Sequence, residues 1–147
     1  MKTVLVVDDE DVIRSVIPKF LCRLPIGLTV LTAGNGAEAI DLLKSNHVDL
    51  ILTDLNMPVM DGFELLAYIA DKLPEIKKIV MTGLLGVESE RKLSSLEISH
   101  IMIKPFNLRT MNEKILSLLG NDTARPAAAY SAQQYHQLKS ALVSQVS

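Results

Sequence analysis

The chain has 147 residues, enough for one domain with a real core. Its 15 Lys and Arg against 17 Asp and Glu leave a net charge of −2, which gives no basis for bulk binding to nucleic acid or anionic lipid. Cys22 is the single cysteine, so an internal disulfide is excluded; the apolar run from Val4 to Val7 is too short for a signal-peptide core, and no stretch approaches the roughly 18 apolar residues of a membrane span. A soluble, cytoplasmic protein is expected.

Short runs rich in Val, Ile and Leu alternate along the chain with longer segments whose apolar residues recur at helical spacing. The strands expected are 3–7 (TVLVV), 28–32 (LTVLT), 49–53 (DLILT), 78–82 (KIVMT) and 100–104 (HIMIK). Each is apolar nearly throughout, as strands of a parallel sheet covered on both faces should be. The helices expected between and after them are 11–24, 36–45, 62–72, 87–96 and 107–119, the last closed by Gly120 and Asn121. Pro18 falls inside the first helical pattern and should kink that helix or end it early. Gly34 and Gly36 fit neither a dinucleotide nor a P-loop spacing and are read as the tight turn into the second helix. The result is an α/β, doubly wound (βα)5 sheet, whose functional groups belong at the carboxyl ends of the strands.

Those ends are acidic. The first strand delivers Asp8, Asp9 and Glu10, the third Asp54, the fourth Thr82, and the fifth Lys104. Carboxylates crowded at one sheet edge raise one another's proton affinity unless a cation lies among them. Oxygen ligands in a half-exposed site suit Mg²⁺, with Asp8, Asp9, Asp54 and a backbone carbonyl just after Asp54 as its expected ligands. With Mg²⁺ and the Lys104 ammonium aimed at it, Asp54 becomes a plausible nucleophile toward phosphorus, and Thr82 would offer its hydroxyl to the product. Pro58 and Gly62 stop the third strand from continuing and leave Asp54 accessible.

The ordered set VLVVDDE, TDLNMPVMDG, VMTG and IKPF resembles the CheY-like receiver domain of two-component response regulators over residues 1–120. The resemblance implies the flavodoxin-like strand order 2-1-3-4-5. It also implies phosphorylation of Asp54 by a sensor histidine kinase or phosphotransfer protein. Asp8 and Asp9 match the acidic pair, Asn56 the residue that gives Mg²⁺ its carbonyl, Thr82 the switch hydroxyl and Lys104 the phosphate-binding lysine. Two departures stand out: Ile101 occupies a position that is often aromatic, and Glu97 one that is often glycine. Leu84 and Asn56 flank the expected path of hydrolytic water and should affect the lifetime of the phosphate. A downstream protein target, an output region or a second copy of the chain would read the phosphorylated surface formed by the fourth helix, fifth strand and fifth helix.

Other readings fit less well. A phosphohydrolase passing through an aspartyl phosphate normally has a second acid two residues after its nucleophile, where this chain has Asn56. A flavin carrier needs a hydroxyl-rich loop after the first strand, the electrostatic opposite of DDEDVIR. His47, His100 and His136 lack the spacing of a metal or catalytic dyad, and Cys22 reads as core. Residues 121–147 open as a linker, and Tyr135, Leu138, Leu142 and Val146 then mark one face of a short helix. That helix could dock on its own domain, pair with another copy or begin a longer output region. The segment is too short for a DNA-binding domain, so no nucleic-acid output is expected from this chain.

Overall fold

A computed structural model describes residues 1–120. The expected linker and amphipathic helix of 121–147 lie outside the described residues. Ten elements alternate strictly: β1 (Lys2–Val7), α1 (Asp11–Leu21), β2 (Leu28–Ala33), α2 (Gly36–Ser45), β3 (Leu50–Asp54), α3 (Gly62–Lys72), β4 (Lys77–Thr82), α4 (Val87–Ser95), β5 (Ile101–Ile103) and α5 (Leu108–Leu119). All strand pairs are parallel, and the sheet order is β2-β1-β3-β4-β5. No helix among the described residues is long and apolar enough to cross a membrane.

Alternate side chains along each strand feed opposite faces of the sheet. Val4, Val6, Leu50, Leu52, Ile79 and Met81 pack against α1 and α5 through Ile13, Ile17, Phe20, Met111 and Ile115. On the other face Leu5, Val7 and Ile51 meet Ala39 and Leu43 of α2 and Leu65 and Ile69 of α3. Val80 joins Leu66 and Leu93 beneath α3 and α4. The central strand β3 is buried at every residue, whereas the edge strands β2 and β5 are each only partly covered. Full cover on both faces, expected of all five strands, therefore holds only away from the sheet edges.

α1 buries Ile13, Val16, Ile17, Phe20 and Leu21, an i, i+3, i+4, i+7, i+8 stripe. The helix runs three residues past Pro18 and ends at Leu21, short of the expected 24. Cys22, expected in the core, is exposed: it caps the helix after the apolar stripe has finished.

The end of α4 shows how the chain manages without the glycine common at position 97. Ile98 N–H donates to Leu93 O (2.9 Å) and Glu97 N–H to Ser94 O (3.0 Å), while Leu93 and Ile98 pack together, a complete Schellman stop. Glu97 closes it at φ 59°, left-handed backbone that disfavours any residue with a Cβ. Replacing Glu97 with glycine is expected to raise stability by up to about 1 kcal/mol, the relief of strain exceeding the added unfolded-chain entropy. Denaturant unfolding of the two proteins checks this, and a fall in stability would contradict it.

Candidate functional site

Strand register assembles the site. Val7 lies beside Thr53, so the next residues, Asp8 and Asp54, emerge together; Thr82 lies beside Ile103, which brings Lys104 to the same edge. Asp8 is fully buried and Asp54 is 6% exposed. The Lys104 ammonium ties the edge together, donating to Asp8 Oδ2 (2.6 Å), Asp54 Oδ2 (2.9 Å) and Glu10 Oε1 (3.0 Å). Asp54 Oδ1 accepts the backbone N–H of Leu55 (2.6 Å) and, more weakly, that of Asn56 (3.4 Å). The peptide between Lys104 and Pro105 is cis.

The loop after β3 is fixed by close backbone approach rather than by glycine freedom. Gly62 was expected to let the chain turn, yet no glycine among the described residues has positive φ. Its role is spatial: Gly62 N–H donates to Leu55 O (2.9 Å), and a Cβ there would lie 2.1 Å from Asp54 O. The same correction applies to Gly36, whose missing Cβ admits Met60, with its N–H on Met60 O (3.0 Å). Between them Val59 adopts φ 70°, and Met60 N–H reaches back to Pro58 O (2.8 Å), a γ-turn of the rare, strained hand.

Of the residues expected at the site, Asp8, Asp54 and Lys104 are in direct contact. Thr82 is buried nearby, but its hydroxyl donates to Leu84 O in its own loop (3.0 Å). Asp9 and Asn56 are exposed at the rim. Glu10 was placed at this edge by the acidic run DDE but not among the expected site residues; it is Glu10, not Asp9, whose carboxylate oxygen lies within 4.8 Å of oxygens from both Asp8 and Asp54.

Three carboxylates share one ammonium here, so the cluster is short of positive charge. Burial pushes the Asp8 carboxyl up from 3.8 to about 6, although Lys104 and the Glu10 N–H pull the other way. Burial alone would lower the Lys104 ammonium, but its bonds to Asp8 and Asp54 outweigh that and hold it above its ordinary value. Because folded Asp8 keeps its proton to a higher pH than the unfolded chain does, its contribution is most favourable below about pH 4 and is lost as pH rises toward about 6. In Mg²⁺-free buffer the parent is expected to lose roughly 3 kcal/mol across that window relative to Asp8→Asn, as read by denaturant unfolding at several pH values. A pH-independent difference would contradict this electrostatic assignment.

Residues 4–116 match the response regulator receiver domain family. The chain belongs to that family. This receiver domain is 37% identical over 128 residues to a chemotaxis protein CheY homolog of Campylobacter jejuni, covering 84% of this chain and 97% of that one. It is 35% identical over 125 residues to the autoinducer 1 sensor kinase/phosphatase LuxN of Vibrio campbellii, covering 85% of this chain but 14% of the kinase. Among solved structures it resembles response regulator TrrA of Thermotoga maritima in complex with Mg²⁺ and BeF (34% identity, TM-score 0.71, 81% of this chain and 100% of that one). It also resembles a CheY-like receiver of Methanospirillum hungatei (26% identity, TM-score 0.74, 82% and 95%). The receiver domain serves two-component signal transduction, and its strand order is the one the motif resemblance implied.

Proposed function

We propose that Asp54 is the phosphoacceptor of this receiver domain and that its phosphorylation switches protein contacts. The observation that supports it best is the bond from the nearly buried Lys104 ammonium to Asp54 Oδ2, at a strand end where Asp8 adds a second buried carboxylate. An Asp54 oxygen attacks phosphorus, the bond from phosphorus to the donor breaks, and the leaving group departs with the electron pair. Lys104 then faces the new phosphoryl oxygens. The donor is a sensor histidine kinase or phosphotransfer protein.

Mg²⁺ suits this edge: carboxylate oxygens of Asp8, Glu10 and Asp54 lie within 4.8 Å of one another and carry more negative charge than Lys104 neutralises. Asp8, Asp9, Asp54 and the backbone carbonyl of Asn56 would hold the ion. When bound it neutralises charge on the phosphoryl oxygens. The Mg²⁺ and BeF complex of TrrA supports this assignment by analogy.

Phosphorylated Asp54 carries close to two negative charges. Thr82 leaves the Leu84 carbonyl for a phosphoryl oxygen, and the β4–α4 loop moves with it, altering the face built from α4, β5 and α5. Ile101, half-buried against α4, replaces an aromatic side chain in that face. A downstream protein, an output region or a second copy of the chain reads the change. The protein acts in the cytoplasm as a signalling switch and not as a metabolic enzyme, without contacting nucleic acid or membrane through the described residues. Phosphoryl uptake from acetyl phosphate is expected to require Mg²⁺ and to stop on chelation; uptake unaffected by a chelator would overturn the metal assignment.

A further inference from the structure

Lys104 has three ammonium hydrogens and three carboxylate partners. Two of them, Asp8 and Asp54, have side chains 0% and 8% exposed; Glu10 is 41% exposed. Glu10 occupies the N-cap of α1, yet its carboxylate caps no helix N–H, and the backbone N–H of Glu10 goes to Asp8 Oδ1 (2.9 Å). Neither the helix nor the core therefore requires a carboxylate here. What the side chain does is accept from Lys104 and bring a carboxylate oxygen within 4.8 Å of an Asp54 oxygen.

We propose that Glu10 is a positioning residue that stands in for the phosphoryl group. Its carboxylate occupies the third hydrogen of Lys104 in the unphosphorylated protein and gives it up to a phosphoryl oxygen when Asp54 is modified. A half-exposed ion pair is easily broken, so Glu10 yields. The like charge stays close, so the phosphoryl group binds more weakly and arrives more slowly than it would beside a neutral residue. Glu10 thereby holds down phosphorylation by small anionic donors and favours a protein donor that brings its own positive charge. This inference rests on the reading of Asp54 as the phosphoacceptor.

The test compares the parent with Glu10→Gln, which keeps the chain length and an oxygen that accepts from Lys104 but removes the charge. Beryllium fluoride is the probe, titrated at saturating Mg²⁺ so that any effect of Glu10 on ion loading drops out. Even at the dielectric of water, unit charges about 4 Å apart alter an equilibrium about fivefold. Glu10→Gln is therefore expected to bind the probe about fivefold tighter or more, and Glu10→Ala at least as tightly. Acetyl phosphate should also modify Glu10→Gln faster at low salt, and the advantage should shrink at high salt, which a purely structural role would not produce. Equal or weaker probe binding by Glu10→Gln, beside a parent that binds, overturns the inference alone. A parent that neither binds the probe nor takes up phosphoryl overturns the phosphoacceptor reading together with it.

Discussion

Replacing Gly62 with alanine is expected to destabilise the protein by about 3 kcal/mol or more, because overpacking against backbone cannot be relieved by a rotamer change. The added Cβ would lie 2.1 Å from Asp54 O, 2.7 Å from Leu55 Cα and 3.0 Å from Asp54 C. All three are main-chain atoms of the strand end that carries the candidate phosphoacceptor. Relief demands that α3 withdraw from β3 and that the Gly62 bond to Leu55 O (2.9 Å) lengthen. Any folded fraction should then take up phosphoryl more slowly, since Asp54 itself must shift. Gly83→Ala is the control: a Cβ there meets nothing within 4 Å, and its stability should stay within about 0.5 kcal/mol of the parent. Denaturant unfolding of the three proteins decides the matter, and a Gly62→Ala protein as stable as Gly83→Ala would refute the close-approach assignment.

Lys104→Met should have the second large effect. The substitution keeps the aliphatic reach but leaves the fully buried Asp8 and the nearly buried Asp54 without their shared cation. Removing one member of a buried ion cluster typically costs about 3–5 kcal/mol, mostly the penalty of the charges left behind. The loss should therefore depend on pH. Without Lys104 the Asp8 carboxyl rises further above its present value of about 6, so protonation removes the uncompensated charge in acid. Destabilisation is expected to be largest near pH 8, smaller near pH 5, and reduced by millimolar Mg²⁺ at the higher pH. An equal loss at both pH values, insensitive to Mg²⁺, would trace the defect to lost packing instead of lost charge.

Much of this was legible in the sequence because the fold converts chain order into position. Five apolar runs ending in a parallel sheet must deliver their next residues to one edge, which is why Asp8, Asp54, Thr82 and Lys104 could be named before any contact was visible. Features that depend on side-chain direction were less accessible. Glu10 follows two aspartates in an acidic run, and only the start of α1 at Asp11 turns its carboxylate onto Lys104. Cys22 continues an apolar pattern on paper, but α1 stops at Leu21 and leaves the thiol in solvent. Gly36 and Gly62 carry a generic turn signal, whereas their actual constraint is a neighbouring loop about 3 Å or less from the absent Cβ. Glu97 shows a third kind of gap, since the hydrogen bonds and the Leu93–Ile98 contact complete the helix stop without the usual glycine.

The central question is whether Asp54 accepts phosphorus, and intact mass after incubation with acetyl phosphate and Mg²⁺ answers it most directly. The parent should gain one phosphoryl group that is lost in base, and Asp54→Asn should gain none. Uptake by both proteins, or by neither when Mg²⁺ binding has been shown separately, would contradict the assignment of Asp54 as the phosphoacceptor.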